Sequence, residues 1–133
     1  MVGIPSIGFS LTTHSWDADF AGCEDWIPEI VGKVLSNGLP KEVCLNVNIP
    51  ARCRPQGIKL CHAACGHWSE EYQEYTDPMG KPFYFLTGRF TPDSPDDEEA
   101  DIYWLDRQYI SVVPVRPDQT AFGAMEEIAT LLK

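Results

Sequence analysis

Gly3-Ile-Pro-Ser-Ile-Gly-Phe-Ser-Leu11 and Cys44-Leu-Asn-Val-Asn-Ile-Pro50 decide the fold class. Each is a short apolar run bounded by Gly or Pro, the pattern of a buried strand. Between them Phe20, Cys23, Ile27, Ile30, Val31, Val34 and Leu35 recur at helical spacing and form an apolar stripe. Strand, helix and strand in that order make one crossover of a parallel sheet with a helix packed on it. The class is therefore α/β. The helix is expected from about Ala18 to Asn37, with Asp17 or Asp19 as N-cap and Glu24 and Asp25 near its positive end. Pro28 falls inside the pattern and should kink or split it. Gly38 suits the position after the last turn, and Pro40 ends the element.

Working outward, Pro50 to Gly57 is a Pro- and Gly-punctuated loop. It carries Arg52 and Arg54, the one basic cluster, readable as a phosphate contact or as a solvated connector. From Gly57 the period becomes two: Ile58, Leu60 and His62 alternate with Lys59 and Cys61. A polar, turn-rich segment through Asp77-Pro-Met-Gly-Lys-Pro82 leads to a strand at Phe83–Phe90. Trp68, Tyr72, Tyr75, Phe83, Tyr84 and Phe85 make this region aromatic, and it reads as a hairpin with one face buried. Ile102 to Val115 supplies two further strand pieces. A last helix is expected over about Ala121 to Leu132, capped by Asp118 or Thr120, with Phe122, Met125, Ile128, Ala129 and Leu132 on one stripe.

The 133 residues fit one domain with a core of its own. Hydrophobic content of 44% and charged content of 23% are ordinary for a globular chain. The apolar runs are too short to span a bilayer, and no basic-then-apolar leader opens the sequence, so the expected address is cytoplasmic, with no membrane partner. Net charge is −10, from 10 basic and 20 acidic residues, which argues against a nucleic-acid partner. Part of the acidity is local: Asp93, Asp96, Asp97, Glu98, Glu99 and Asp101 lie in one stretch with Pro92 and Pro95. That stretch reads as a solvated, mobile loop. Consecutive carboxylates without the regular spacing of a calcium loop make it a poor metal site.

Two other groupings invite chemistry. The 5 cysteines are an odd number without a secretory leader, so reduced thiols are expected. Cys61, His62, Cys65 and His67 cluster, but zinc sites usually draw two pairs of ligands from separate loops. On a strand, His62 would face away from residues 61, 65 and 67, leaving packing as the favoured role. Ser10, His14 and Asp17 or Asp19 suggest a hydrolase, but no Gly-x-Ser-x-Gly elbow surrounds Ser10. Ligands in open α/β sheets gather at the carboxyl ends of strands. Ser10 and His14 are therefore candidate pocket residues rather than a triad. No phosphate-binding Gly-rich loop ending in Lys-Ser or Lys-Thr is present, nor a dinucleotide fingerprint.

Several of these words, in order, resemble the SurE family. Asn37-Gly-Leu-Pro40 with Val43-Cys-Leu-Asn-Val-Asn-Ile-Pro50 is similar to its "GLP…LNVNIP" segment. Trp16-Asp-Ala-Asp-Phe20 is similar to its entry into a helix, Tyr84-Phe-Leu-Thr-Gly-Arg-Phe90 to its aromatic "LTG.F" strand, and Tyr109-Ile-Ser-Val-Val-Pro-Val115 to a late strand. Gln108 stands where the family usually has Gly, and Val113 replaces a usual Thr. The resemblance implies a partial SurE-like nucleotide fold: the last β-α-β crossover, an extended β-hairpin arm, further strands and a C-terminal helix. It implies one carboxyl-terminal region over 1–133, with 1–56 ending the doubly wound core and 57–133 forming arm and tail helix for oligomerisation.

Family members are metal-dependent 5′/3′-nucleotidases. The resemblance therefore implies nucleoside monophosphates as substrates and Mg or Mn as cofactor, with the ion polarising the phosphoryl group and activating a water. It also implies a homo-oligomer, dimer or tetramer, through the arm and tail helix. The family's metal-binding Asn-Asp-Asp-Gly run belongs to an earlier part of its chain. No Asp-Asp-Gly occurs here; the adjacent Asp96 and Asp97 follow no strand. This chain is thus expected to contribute no catalytic residue and no metal ligand, and to be inactive alone. The alternative is a non-catalytic binding or assembly module that keeps the scaffold.

Overall fold

A computed structural model describes residues 4–133; Met1, Val2 and Gly3 lie outside it. The crossover forms as expected. β1 (Ile7–Leu11) and β2 (Cys44–Ile49) pair in parallel, Ile7 opposite Leu45 through Leu11 opposite Ile49. The expected helix splits. Asp19 Oδ1 accepts the Ala21 amide at 2.9 Å and opens a single 3₁₀ turn, Ala21–Cys23. α1 then runs Trp26–Asn37. Pro28 is its third residue and kinks nothing, because first-turn amides have no partner to lose. Gly38, at φ +75°, closes the helix by donating its amide to the Val34 carbonyl at 2.8 Å.

The sheet is completed from the far end of the chain. β3 (Ile58–Leu60) and β8 (Ile110–Val115) join it in the order β1-β2-β8-β3. β8 is antiparallel to β2 and parallel to β3. The core therefore draws strands from both sides of residue 56. On the face toward α1, Val47, Ile49, Ile110 and Val112 pack with Cys23 and Ile30, and Ile7, Phe9, Leu11, Leu45, Trp26, Ile27 and Ile58 surround them. Each fully buried Val or Ile here contributes about 1.5–3 kcal/mol. Phe20 and Leu35, placed on the stripe by spacing, are exposed.

The arm is a bent double hairpin. β4 (Gly66–Ser69) pairs with β7 (Arg89–Pro92), and β5 (Tyr72–Thr76) with β6 (Pro82–Leu86). The single strand expected at Phe83–Phe90 breaks at Thr87-Gly88, where Gly88 has φ +135°. Neither face of the outer hairpin is buried, contrary to the sequence reading. Tyr75, Phe83 and Phe85 instead stack on one another in the open.

Two more expectations are corrected. The first strand piece of Ile102–Val115 is a helix, α2 (Asp101–Leu105). Four apolar residues in a row carry no period that separates helix from strand. Asp101 Oδ1 accepts the amides of Ala64 and Ile102, and Trp104 Nε1 donates to the Glu98 carbonyl at 2.6 Å, which holds the turn. The acidic stretch before it is a series of bonded turns rather than a free loop. The Asp97 amide donates to Ser94 O, the Ala100 amide to Asp97 O, and Ala100 itself is buried. Residues 61–65 are not a strand either; β4 begins only at Gly66. At the end, Asp118 Oδ1 accepts the Thr120 amide, a 3₁₀ turn covers Phe122–Ala124, and α3 spans Met125–Leu131 with its apolar residues exposed.

Candidate substrate pocket

Because β1 and β2 run parallel, their carboxyl ends lie side by side. Odd residues of β1 face α1, so Gly8 and Ser10 face the other way, as do Asn46 and Asn48 on β2. Ser10 stands opposite Asn48, and its hydroxyl donates to Asn48 Oδ1 at 2.5 Å. Asn48 stands opposite Ser111, and Ser111 opposite Lys59. A polar row, Ser10–Asn48–Ser111–Lys59, thus crosses the whole sheet. Ser111 is 0% exposed and its Oγ has no partner among the described residues. At the far end of the row, Lys59 Nζ lies 3.9 Å from the centre of the Trp104 ring and 5.3 Å from that of Tyr109.

Just beyond β1 the chain is pinned again. The Thr12 amide donates to Ile49 O at 3.0 Å, and Thr12 Oγ1 accepts the Ala51 amide at 3.0 Å. His14 follows, exposed. It lines an open cleft of about 680 Å³ with Trp68, Glu71, Tyr72, Leu86, Thr87 and Gly88, at the bend of the arm. Ser10 is not among the residues of that cleft. The structure therefore places the two candidates at one end of the sheet, Ser10 in the polar row and His14 toward the arm. A hollow of about 350 Å³ lined by Ile4, Pro5, Leu39, Pro40, Lys41, Glu42 and Val43 sits at the opposite end of the strands.

The other groupings resolve simply. Arg52 and Arg54 share a shallow hollow with Asp19, Gly22 and Cys53, and Arg54 Nη2 lies 3.7 Å from Asp25 Oδ2, an exposed pair of little energetic weight. The Cys61–His67 cluster does not converge. His62 Nδ1 lies 2.9 Å from the Ala63 carbonyl oxygen and its Nε2 3.2 Å from Asp97 Oδ2. Both ring nitrogens thus face acceptors; the carbonyl first, then Asp97 and Glu99, raise the His62 pKa. His67 Nδ1 lies 3.5 Å from Asp93 Oδ1. Burial pushes the Cys61 thiol up, which makes it inert rather than ligating. Among the described residues no three His, Cys, Asp or Glu side chains gather as a metal-binding group. Asp97 is committed elsewhere, its Oδ1 accepting the Glu99 amide and its Oδ2 facing His62.

Asn48 and Ser111 are the residues that sequence reasoning passed over. The alternation in Leu45-Asn-Val-Asn48 already put both asparagines on the face opposite Val47; only the pairing with β8 could add Ser111 to that row.

A parallel crossover, an antiparallel return strand and a bent arm beside a polar row define the chain as an α/β domain with a hairpin extension. Comparison with known proteins narrows this. The protein-family model described as "Survival protein SurE" matches residues 1–70, more than half of the chain. The 5′-nucleotidase SurE of Christiangramia forsetii is 42% identical over 130 residues, covering 96% of this chain and 50% of the relative. The 5′-nucleotidase SurE 1 of Thermus thermophilus is 39% identical over 132 residues, covering 99% of this chain and 51% of the relative. The crystal structure of the SurE protein from Aquifex aeolicus superposes with a TM-score of 0.74 at 33% identity, covering 98% of this chain and 53% of that one. The chain belongs to the SurE family and spans about half the length of the curated relatives it matches.

Proposed function

We propose that this chain is the carboxyl-terminal portion of a nucleoside 5′/3′-monophosphate phosphohydrolase. The observation that carries this is the agreement with relatives named 5′-nucleotidase SurE along 96% and 99% of its length. In that reading Ser10 and His14 line the substrate pocket, at the strand ends where α/β sheets bind ligands. Asn48 fixes the Ser10 hydroxyl by accepting its hydrogen bond. Residues 1–56 serve as the end of the nucleotide-fold core, and the arm and tail helix bury their apolar faces in a homo-oligomer, dimer or tetramer, working in the cytoplasm. No helix among the described residues is long and apolar enough to cross a membrane.

A divalent ion, Mg or Mn, is part of the proposal for the complete protein, but the residues present here do not fit one: the carboxylates are scattered or already bonded. A chimera tests the reading. This chain would replace the matching half of the C. forsetii relative, and release of phosphate from nucleoside 5′-monophosphates would be followed with Mg or Mn. Metal-dependent release is expected, falling on Ser10→Ala or His14→Ala. A folded chimera without activity overturns the reading and favours the second one, a non-catalytic assembly module. The absence of an Asp-Asp-Gly run from the sequence speaks for that second reading.

A further inference from the structure

We propose that Cys23 and Cys53 form a redox-sensitive pair, which a low-molecular-weight disulfide converts to an internal disulfide at the carboxyl end of the sheet. The inference stands apart from the hydrolytic reading. Cys23 ends the 3₁₀ turn before α1, and Cys53 lies in the loop after β2. The fold brings these two segments together main chain to main chain. A Cβ at Gly22 would sit 2.6 Å from the Cys53 carbonyl oxygen and 3.6 Å from its carbon, so only Gly allows this approach. Arg52, at φ +60°, turns the loop, and the Cys53 thiol points back to the Pro50 carbonyl, Sγ to O 3.6 Å. Pro50 follows Ile49, a member of the same core cluster as Cys23. The Cys53 sulfur thus faces the end of the core that holds Cys23.

The two thiols differ in the way a stepwise exchange requires. Cys23 is 3% exposed, and burial first, then Asp19, Cys53 and Glu24, raise its pKa. It is a poor first nucleophile. That the Cys53 charge reaches it also puts the two sulfurs near each other. Cys53 is half-buried and lines a hollow of about 350 Å³ with Asp19, Gly22, Arg52 and Arg54. The two guanidinium groups suit a small disulfide that bears carboxylates. The Cys53 thiolate attacks one sulfur of that molecule, forms a mixed disulfide and releases one small thiol. Cys23 then gives its proton to solvent, attacks the Cys53 sulfur and releases the second small thiol. Two protein thiols are oxidised and one small disulfide is reduced to two thiols, so electrons and protons balance. The bond ties the entry of α1 to the loop carrying Arg52 and Arg54, at the same end of the strands as Ser10 and Asn48. In a reducing compartment such a bond is transient, the behaviour of a redox sensor.

The experiment exposes the dilute chain to glutathione buffers of stepped oxidised-to-reduced ratio, blocks the remaining thiols and maps the peptides by mass. Expected is a Cys23–Cys53 crosslink, with the loss of two hydrogens from the chain. A glutathione adduct on Cys53 should precede it in time, and excess reduced glutathione should reverse it. Cys53→Ser should abolish the crosslink and leave Cys23 reduced. Cys23→Ala should stop the reaction at the Cys53 adduct. Should Cys23→Ala fail to fold, the order of events in the wild-type chain still decides. Four results overturn the proposal: an unreacted pair in the most oxidising buffer, Cys53 fully adducted while Cys23 stays reduced, Cys53 bonded instead to the exposed Cys65 or to a second copy, or a Cys23 bond that forms only in urea at unfolding concentrations.

Discussion

Gln108 holds φ at +64°, a backbone region that costs a residue with a Cβ about 1–2 kcal/mol. Its carbonyl accepts the Gln56 amide at 2.9 Å, and its turn delivers the chain into β8, so the strain sits on the last connection into the core. A Gly, which the resemblance implies at this position, would carry the same turn without that strain. Gln108→Gly should be neutral or stabilising by up to about 1 kcal/mol, against the usual sign for a Gly substitution, as read from the urea midpoint. The two ends of the chain separate core from surface in the same way. Ile110 is 0% exposed, and Ile110→Ala should cost about 2–5 kcal/mol; Ile128 is 49% exposed, and Ile128→Ala should leave the isolated chain nearly unchanged. His62 provides a pH reading. Its folded pKa lies above the ordinary 6.5, so its contribution to stability is fully present below 6.5 and is lost as pH rises through the folded value. An NMR titration should give a His62 midpoint above 6.5 that moves down in Asp97→Asn. An unmoved midpoint would mean that Asp97 plays no part in the shift.

At the scale of elements, legibility followed the strength of the period. The two flanking strands and α1 carry strong patterns, and their existence, order and parallel pairing were readable from Ile7–Leu11 and Cys44–Ile49. Boundaries were not. Asp19 bonds the Ala21 amide of a separate 3₁₀ turn, so a single helix became a turn and a helix. Ile102–Leu105 has no period at all, and its helix is imposed by bonds from residues 64 and 98 that lie far off or outside the run. Asn48 and Ser111 show the same limit at the site: a row across four strands exists only once their pairing is known. Gly66 is an element-level test of the arm. A Cβ there would sit 2.4 Å from Thr91 O and 2.5 Å from the Phe90 ring, so Gly66→Ala should unpair β4 from β7, seen as loss of cross-strand contacts in NMR. Phe122, Met125, Ile128 and Leu132 present the exposed stripe of the tail segment, and Met125→Glu should lower the average mass of a self-associated chain in light scattering.

As a whole molecule, the described residues form a sheet with one polar end and leave apolar side chains exposed on the outer arm and the tail helix. Family membership joins the chain to enzymes about twice its length, and its sequence holds neither an Asp-Asp-Gly run nor a gathering of ligands among the described residues. Ser10 and His14 belong, on this account, to a pocket whose chemistry is supplied from elsewhere. Among the described residues the Ser10 hydroxyl donates to Asn48 rather than to a base, the partner that two-step turnover would need. The most direct measurement is hydrolysis of a chromogenic phosphate monoester by the purified chain alone, with Mn or Mg. The account predicts a rate equal to that of a matched blank. A metal-dependent rate well above the blank, retained through repurification and lost in Ser10→Ala, would contradict it.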